Sequence, residues 1–214
     1  MSYAVKEMFL TLQGEGLQAG MRAVFVRFAG CNLWSGREED RATADCTFCD
    51  TDFVGVDGDG GGRFADADAL AGRVRSLWDE GIAEEGGIPL VVITGGEPML
   101  QLDAELIVAF KARGFRIAIE TNGTLPVIDG VDWICVSPKA GTKIVQRRGD
   151  ELKMVWPQPG LDVQEIEGWD FRHWLVQPMD GAAAEAAREE AIRFVLGHPR
   201  WRLSLQTHKM LGLR

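Results

Sequence analysis

The chain predicts an α/β fold, a partial (β/α) barrel of about six mostly parallel strands, and three observations lead there. Short β-branched apolar runs alternate with segments of helical periodicity, the pattern of a parallel sheet joined by right-handed crossovers. Each clear strand is followed by a polar cluster marked by Gly or Pro, which puts the reactive groups at one sheet edge, as in barrel-type folds. The regular strands are too few to close an eight-fold barrel.

Residues 1–20 read as a short extended start and a polar loop, T-L-Q-G-E-G. Residues 23–28 (A-V-F-V-R-F) are a strand by their β-branched and aromatic content, and they deliver the chain to Cys31. Arg27 interrupts that run, and a charge there must reach solvent or meet a partner. Residues 32–45 form a polar insertion, expected to be a short helix or turn, and 54–63 read as loop. Leu70, Val74 and Leu77 give 67–78 a helical stripe. Further strands are expected over 89–93, 115–120, 131–136, 151–155, 172–176 and 201–205, with helices over 102–112 and 182–196. No repeat or linker interrupts the pattern, so 1–214 reads as one domain carrying the 32–45 insertion.

Composition excludes some functions. A net charge of −9 argues against a nucleic-acid surface, which carries a basic stripe, but leaves room for a local basic pocket. No apolar run is long enough to span a bilayer and no signal-peptide pattern opens the chain, so the expected location is cytoplasmic. Four cysteines in such a chain point to metal or catalysis rather than a disulfide framework.

Three of them cluster: fourteen residues separate Cys31 from Cys46, and two separate Cys46 from Cys49. Three thiolates fall one ligand short of a closed zinc site and equally suit an iron–sulfur cubane with one iron open. The spacing does not choose between them. A C-x-x-C redox pair would open a helix, whereas this one lies in a polar loop. Cys135, within D-W-I-C-V-S, reads as core. At 94–98 the sequence is T-G-G-E-P, where two glycines allow close ligand approach. The plainer reading there is a turn with Glu97 near a helix start.

Together, the cysteine triad after the first barrel strand, Phe48 between its last two members, and G-G-E-P resemble the radical S-adenosylmethionine (SAM) superfamily. The usual triad there is C-x3-C-x2-C; here it is C-x14-C-x2-C. With T-L-Q-G-E-G ahead, D-T behind, then E-T-N-G, S-P-K and T-H-K, the chain is similar to the 7-carboxy-7-deazaguanine synthase family from Gln13 to His208.

That resemblance implies a 4Fe–4S cluster on Cys31, Cys46 and Cys49, with SAM chelated by the fourth iron. It places the SAM amino group at Gly96 and Glu97, the adenine near Phe48 and Asp50, and the rest of SAM against Ser137, Pro138, Lys139, Gln177, Pro178, Met179 and Asp180. Leu12, Gln13, Gly14, Glu15, Arg27, Thr94, His208 and Arg214 are the implied substrate contacts, and Thr51 the implied Mg²⁺ ligand. The implied reaction contracts the ring of 6-carboxy-5,6,7,8-tetrahydropterin to 7-carboxy-7-deazaguanine with loss of ammonia, on the route to queuosine. A reducing partner such as flavodoxin and a homodimer are also implied. His208 and Glu120 are candidates for proton handling, and no general base is assigned. Two other readings stand beside this one: a glycyl-radical-activating enzyme, and a zinc-stabilised binding module.

Overall fold

Nine strands join in one sheet in the computed structural model, which describes residues 2–80 and 86–213. In chain order they are β1 Tyr3–Leu12, β2 Arg22–Phe28, β3 Gly62–Phe64, β4 Leu90–Gly95, β5 Arg116–Thr121, β6 Trp133–Val136, β7 Arg148–Trp156, β8 Asp170–Pro178 and β9 Arg202–Leu203. Their spatial order is β3-β1-β2-β4-β5-β6-β7-β8-β9. From β2 to β9 every pairing is parallel, and β1 and β3 add an antiparallel edge. The ends of the sheet do not meet, so the barrel is partial.

The helices are α1 Ala67–Asp79, α2 Ala104–Ala112, α3 Val163–Glu167, α4 Ala184–Gly197 and α5 Thr207–Leu211. Asp66 caps α1 by accepting from the Ala69 amide, and Asp103 caps α2 through Leu106. Such caps contribute about 1 kcal/mol each. The Asp103 carboxylate also accepts from the Tyr3 hydroxyl at 2.7 Å, tying α2 to β1. Leu70, Val74, Leu77, Leu106 and Phe110 pack from these helices onto Val24, Val26, Val91, Ile93, Ile117 and Ile119 of the sheet. Burying each such side chain stabilises by roughly 1.5–3 kcal/mol. A second cluster packs α4 under β7 and β8 through Ala191, Phe194, Met154 and Trp174. The opposite face of the sheet carries only a small apolar floor: Ala23, Leu90, Val92 and Ala118, with Phe25 and Trp133 against it.

Several expected bounds move. β1 is a ten-residue strand where a short extended start was expected, because a bulge after Val5 breaks its alternation. Tyr3 and Val5 face the helices before the bulge, and Met8 and Leu10 after it, which turns Glu7 and Phe9 to the other face. Residues 62–64, expected at the edge of a loop, pair with Tyr3–Val5 as β3. β9 shrinks to two residues, and the chain after it turns into α5, which pattern reading missed. The 32–45 insertion holds a 3₁₀ turn over Glu38–Thr43.

Candidate active site

The face with the small apolar floor opens, at the C-terminal ends of the parallel strands, into a cavity of about 460 Å³. β2 and β4 bring Arg27 and Thr94 into register with each other, and β1 sets Glu7 opposite Arg27. The Arg27 Nε donates to Glu7 Oε1 at 2.8 Å, so this charge inside a strand has its partner across the strand pair. Phe9 and Phe25, also cross-strand partners, stack with centroids 5.9 Å apart and form an apolar wall of the cavity.

Opposite them lies a buried ionic group. Lys153 of β7 is 4 % exposed and donates from Nζ to Glu15 at 2.6 Å and to Glu120 at 2.9 Å. Burial pushes the Glu15 carboxyl upward, but the Lys153 ammonium and the donors Gln206 and Gln177 outweigh it and hold the pKa down at about 2. Burial likewise works against the Lys153 ammonium, and Glu120 and Glu15 reverse it to well above the ordinary lysine value. Glu151, beneath them, is pushed up by burial and by Glu120, and it accepts from the Leu17 amide. Gln13 donates to Glu120 at 3.3 Å and accepts from the Glu15 amide.

The cysteine loop closes the third side. Leu33 O accepts from both Asp45 N and Cys46 N, at 3.1 and 3.4 Å, so the chain leaves at Leu33 and returns beside its starting point. The long spacer is thereby looped out, and Cys31 is brought near Cys46. Cys31, Cys46 and Cys49 are free thiols, and burial pushes those of Cys31 and Cys46 upward. Among the described residues no three His, Cys, Asp or Glu side chains converge on a single ion position. A cubane asks no such convergence, since each thiolate takes a different iron.

Gly96 supports this arrangement: a Cβ there would stand 2.5 Å from Cys31 Cβ, so only glycine lets the G-G-E turn meet the cysteine loop. Cys46, Cys49, Gly95 and Gly96 all line the cavity, and Lys139 places a cation 5.8 Å from the Phe48 ring centroid. Burial lowers the Lys139 pKa, and the Cys46 and Cys49 sulfurs oppose that. Cys31 does not line the cavity but lies against the Gly96 turn that does; two thiols on the wall, a third behind that turn and the half-buried Lys139 cation fit a thiolate-bound iron–sulfur cluster.

Of the residues expected at the site, Phe48, Asp50, Thr51, Ser137, Lys139, Gln177, Pro178, Met179 and Asp180 line the same cavity. So do Leu12, Gln13, Gly14, Glu15, Glu120 and His208. Glu97 does not line it: wholly buried, its carboxylate accepts from Met99 N, Thr121 Oγ1 and Asn122 N, and so fixes the E-T-N-G turn from below. Pro138 sits behind the lining, where its carbonyl accepts from Gln158. Arg214 lies outside the described residues. Asp50 and Asp180 are both held by Lys209 of α5, at 2.7 and 2.5 Å. Gln206, in the Q-T-H-K cluster after the last strand, lines the cavity too. Sequence reasoning missed Glu7, Phe9, Phe25, Lys153 and Lys209.

Residues 40–152 match the model of the radical SAM superfamily. The 7-carboxy-7-deazaguanine synthase of Bordetella pertussis is 58% identical over the whole of both chains, and that of Synechocystis 32% identical over 100% of this chain and 94% of its own. The chain belongs to the 7-carboxy-7-deazaguanine synthase family. The crystal structure of QueE from Escherichia coli superposes with a TM-score of 0.66 at 26% identity, covering 97% of this chain and 95% of that one. As a radical SAM member of that family the chain is a lyase with a 4Fe–4S cluster and SAM as cofactors, and the zinc-module and activase readings fall away.

Proposed function

We propose that the cavity contracts 6-carboxy-5,6,7,8-tetrahydropterin to 7-carboxy-7-deazaguanine with loss of ammonia, in 7-deazapurine and queuosine synthesis. The observation that carries this reading is Arg27: a guanidinium braced by Glu7, beside a stacked aromatic wall, in the cavity that also holds Cys46, Cys49 and Gly96. Guanidinium stays charged when buried and matches a carboxylate geometrically, which suits it to the carboxyl of the pterin. When bound, the cluster and SAM supply a hydrogen-abstracting radical.

Residues of this chain supply the rest. Cys31, Cys46 and Cys49 would hold the cluster. Gly96, Phe48, Ser137, Lys139, Gln177, Pro178 and Met179 would seat SAM, with Glu97 and Pro138 fixing the turns behind them. Asp50 and Asp180 would close that side through Lys209. Leu12, Gln13, Gly14, Thr94 and the Phe9–Phe25 pair would surround the substrate, with Glu15 kept ionised by Lys153 to accept from its donor-rich edge. Departure of ammonia needs a proton delivered to nitrogen, and His208 and Glu120 are the titratable groups we assign to that part of the cavity. Thr51, between Asp50 and Asp52, offers a hydroxyl to Mg²⁺, a hard cation that keeps several of its waters. A cytoplasmic setting, a flavodoxin-like reductant and a homodimer complete the reading; no helix among the described residues is long and apolar enough to cross a membrane.

The test is anaerobic turnover of the reconstituted enzyme with the pterin, SAM and dithionite, with and without Mg²⁺, read by mass spectrometry and ammonia assay. Arg27→Ala is expected to lower kcat/KM roughly 10- to 100-fold, as for loss of a charged hydrogen bond, while uncoupled SAM cleavage persists. Unchanged turnover in that variant would remove the carboxylate clamp from the account.

A further inference from the structure

Residues 47–52 carry Cys49 and the wall around it, yet among the described residues no backbone–backbone hydrogen bond fastens any of them. They belong to no helix or strand. Lys6 and Lys209 hold the Asp52 and Asp50 side chains, and Cys49 Sγ makes a local contact with Thr51 O, but the side chain that reaches the main chain from outside the segment on the insertion side is Arg41. Arg41 Nη1 donates to Thr47 O at 3.0 Å and to Cys49 O at 3.1 Å, the two carbonyls either side of Phe48. Its Nε donates to both Glu38 carboxylate oxygens, at 2.8 and 2.9 Å, and its guanidinium lies 4.1 Å over the Trp34 ring. Trp34 in turn donates from Nε1 to Arg37 O and meets the buried Phe53 edge-on at 5.6 Å. Phe53 O accepts from Gly30 N, next to Cys31. One chain of contacts thus runs from the Cys31 side, through Phe53, Trp34 and Arg41, to the Cys46–Cys49 turn.

We infer that Arg41 is a positioning residue, the clasp that holds the Cys46–Cys49 turn in its cluster-binding shape, and that supplying this clasp is what the 32–45 insertion is for. The inference rests on reading the three cysteines as cluster ligands. Its chemistry needs arginine: the planar fork bonds the carbonyls, the carboxylate and the indole face at once, which a lysine ammonium cannot do. Groups that orient metal ligands from outside the ligand set typically change metal affinity 10- to 100-fold when removed.

The experiment compares wild type, R41A and R41K, purified anaerobically and reconstituted with iron and sulfide. Iron per chain and the decay of the roughly 400 nm absorbance under a chelator are measured, with thermal unfolding of the metal-free proteins alongside. Both variants are expected to lose the cluster about tenfold faster or more, R41K failing to rescue, while metal-free melting stays at the wild-type value. If R41A does not fold, R41K decides. Cluster retention in R41K equal to wild type would overturn the inference, as would loss of the metal-free fold in R41K, which would make Arg41 a general stability residue. Failure of wild type itself to take up iron would instead strike at the cluster reading.

Discussion

At the scale of single residues, Lys153 decides most. Among the described residues it is the one cation bonded to both Glu15 and Glu120, in a layer that also contains the buried Glu151. Breaking a buried ion pair from one side leaves charge uncompensated, so Lys153→Met is expected to cost about 3–5 kcal/mol in urea unfolding at neutral pH. Glu15 gives a pH dependence. Its folded pKa of about 2 lies below the ordinary 4.5, so its contribution is present above the ordinary value and lost as pH falls from there toward 2. A shift of that size corresponds to about 3 kcal/mol. Glu151 has the opposite sign, since its raised carboxyl loses stability as pH rises, and so leaves the acid limb alone. Glu15→Gln should therefore flatten the fall in stability between about pH 4.5 and 2, measured by denaturant unfolding across that range. Neither role was readable in sequence. Nothing in E-L-K-M-V-W marks the depth of its lysine, and only the placement of β7 between β6 and β8, with Lys153 buried, shows that this face is interior.

At the scale of elements, the loops after the strands were the legible part, because glycine and proline punctuate them and the strands between are continuous apolar runs. The G-G-E turn shows why that punctuation is fixed: a Cβ on Gly95 would stand 2.5 Å from Phe28 O, against the neighbouring strand's backbone. Gly95→Ala is expected to destabilise by roughly 1–3 kcal/mol, the range for overpacking, seen as a lower urea midpoint with unchanged slope. The β1 face was illegible because its bulge breaks period-two reading and hides Glu7 and Phe9. α5 was illegible for another reason: five residues with no buried side chain carry little periodic signal. It is placed by contacts instead, with Thr207 donating to Gly14 O and Lys209 bridging Asp50 and Asp180. Exposed pairs of this kind contribute at most about 1 kcal/mol each. Lys209→Ala should accordingly melt near wild type, yet make hydrogen exchange of α5 faster and insensitive to salt, whereas in wild type salt accelerates it.

For the molecule as a whole, a net charge of −9 sets the terms on which an electron arrives. An acidic one-electron donor approaches against a repulsive field that salt screens within about 8–10 Å. Cluster reduction by such a donor is expected to speed up as ionic strength rises, in stopped-flow absorbance. A rate that falls with salt would reveal a local basic docking face. The bond pair at Leu33 O has a different consequence. Because the chain returns to its own point of departure there, the gap between the first two sulfurs is set by that pinch and not by how many residues lie between them. Length in this excursion is a free variable for metal geometry, open to lengthening, trimming or grafting without moving a ligand, so long as whatever replaces it brings its own guanidinium.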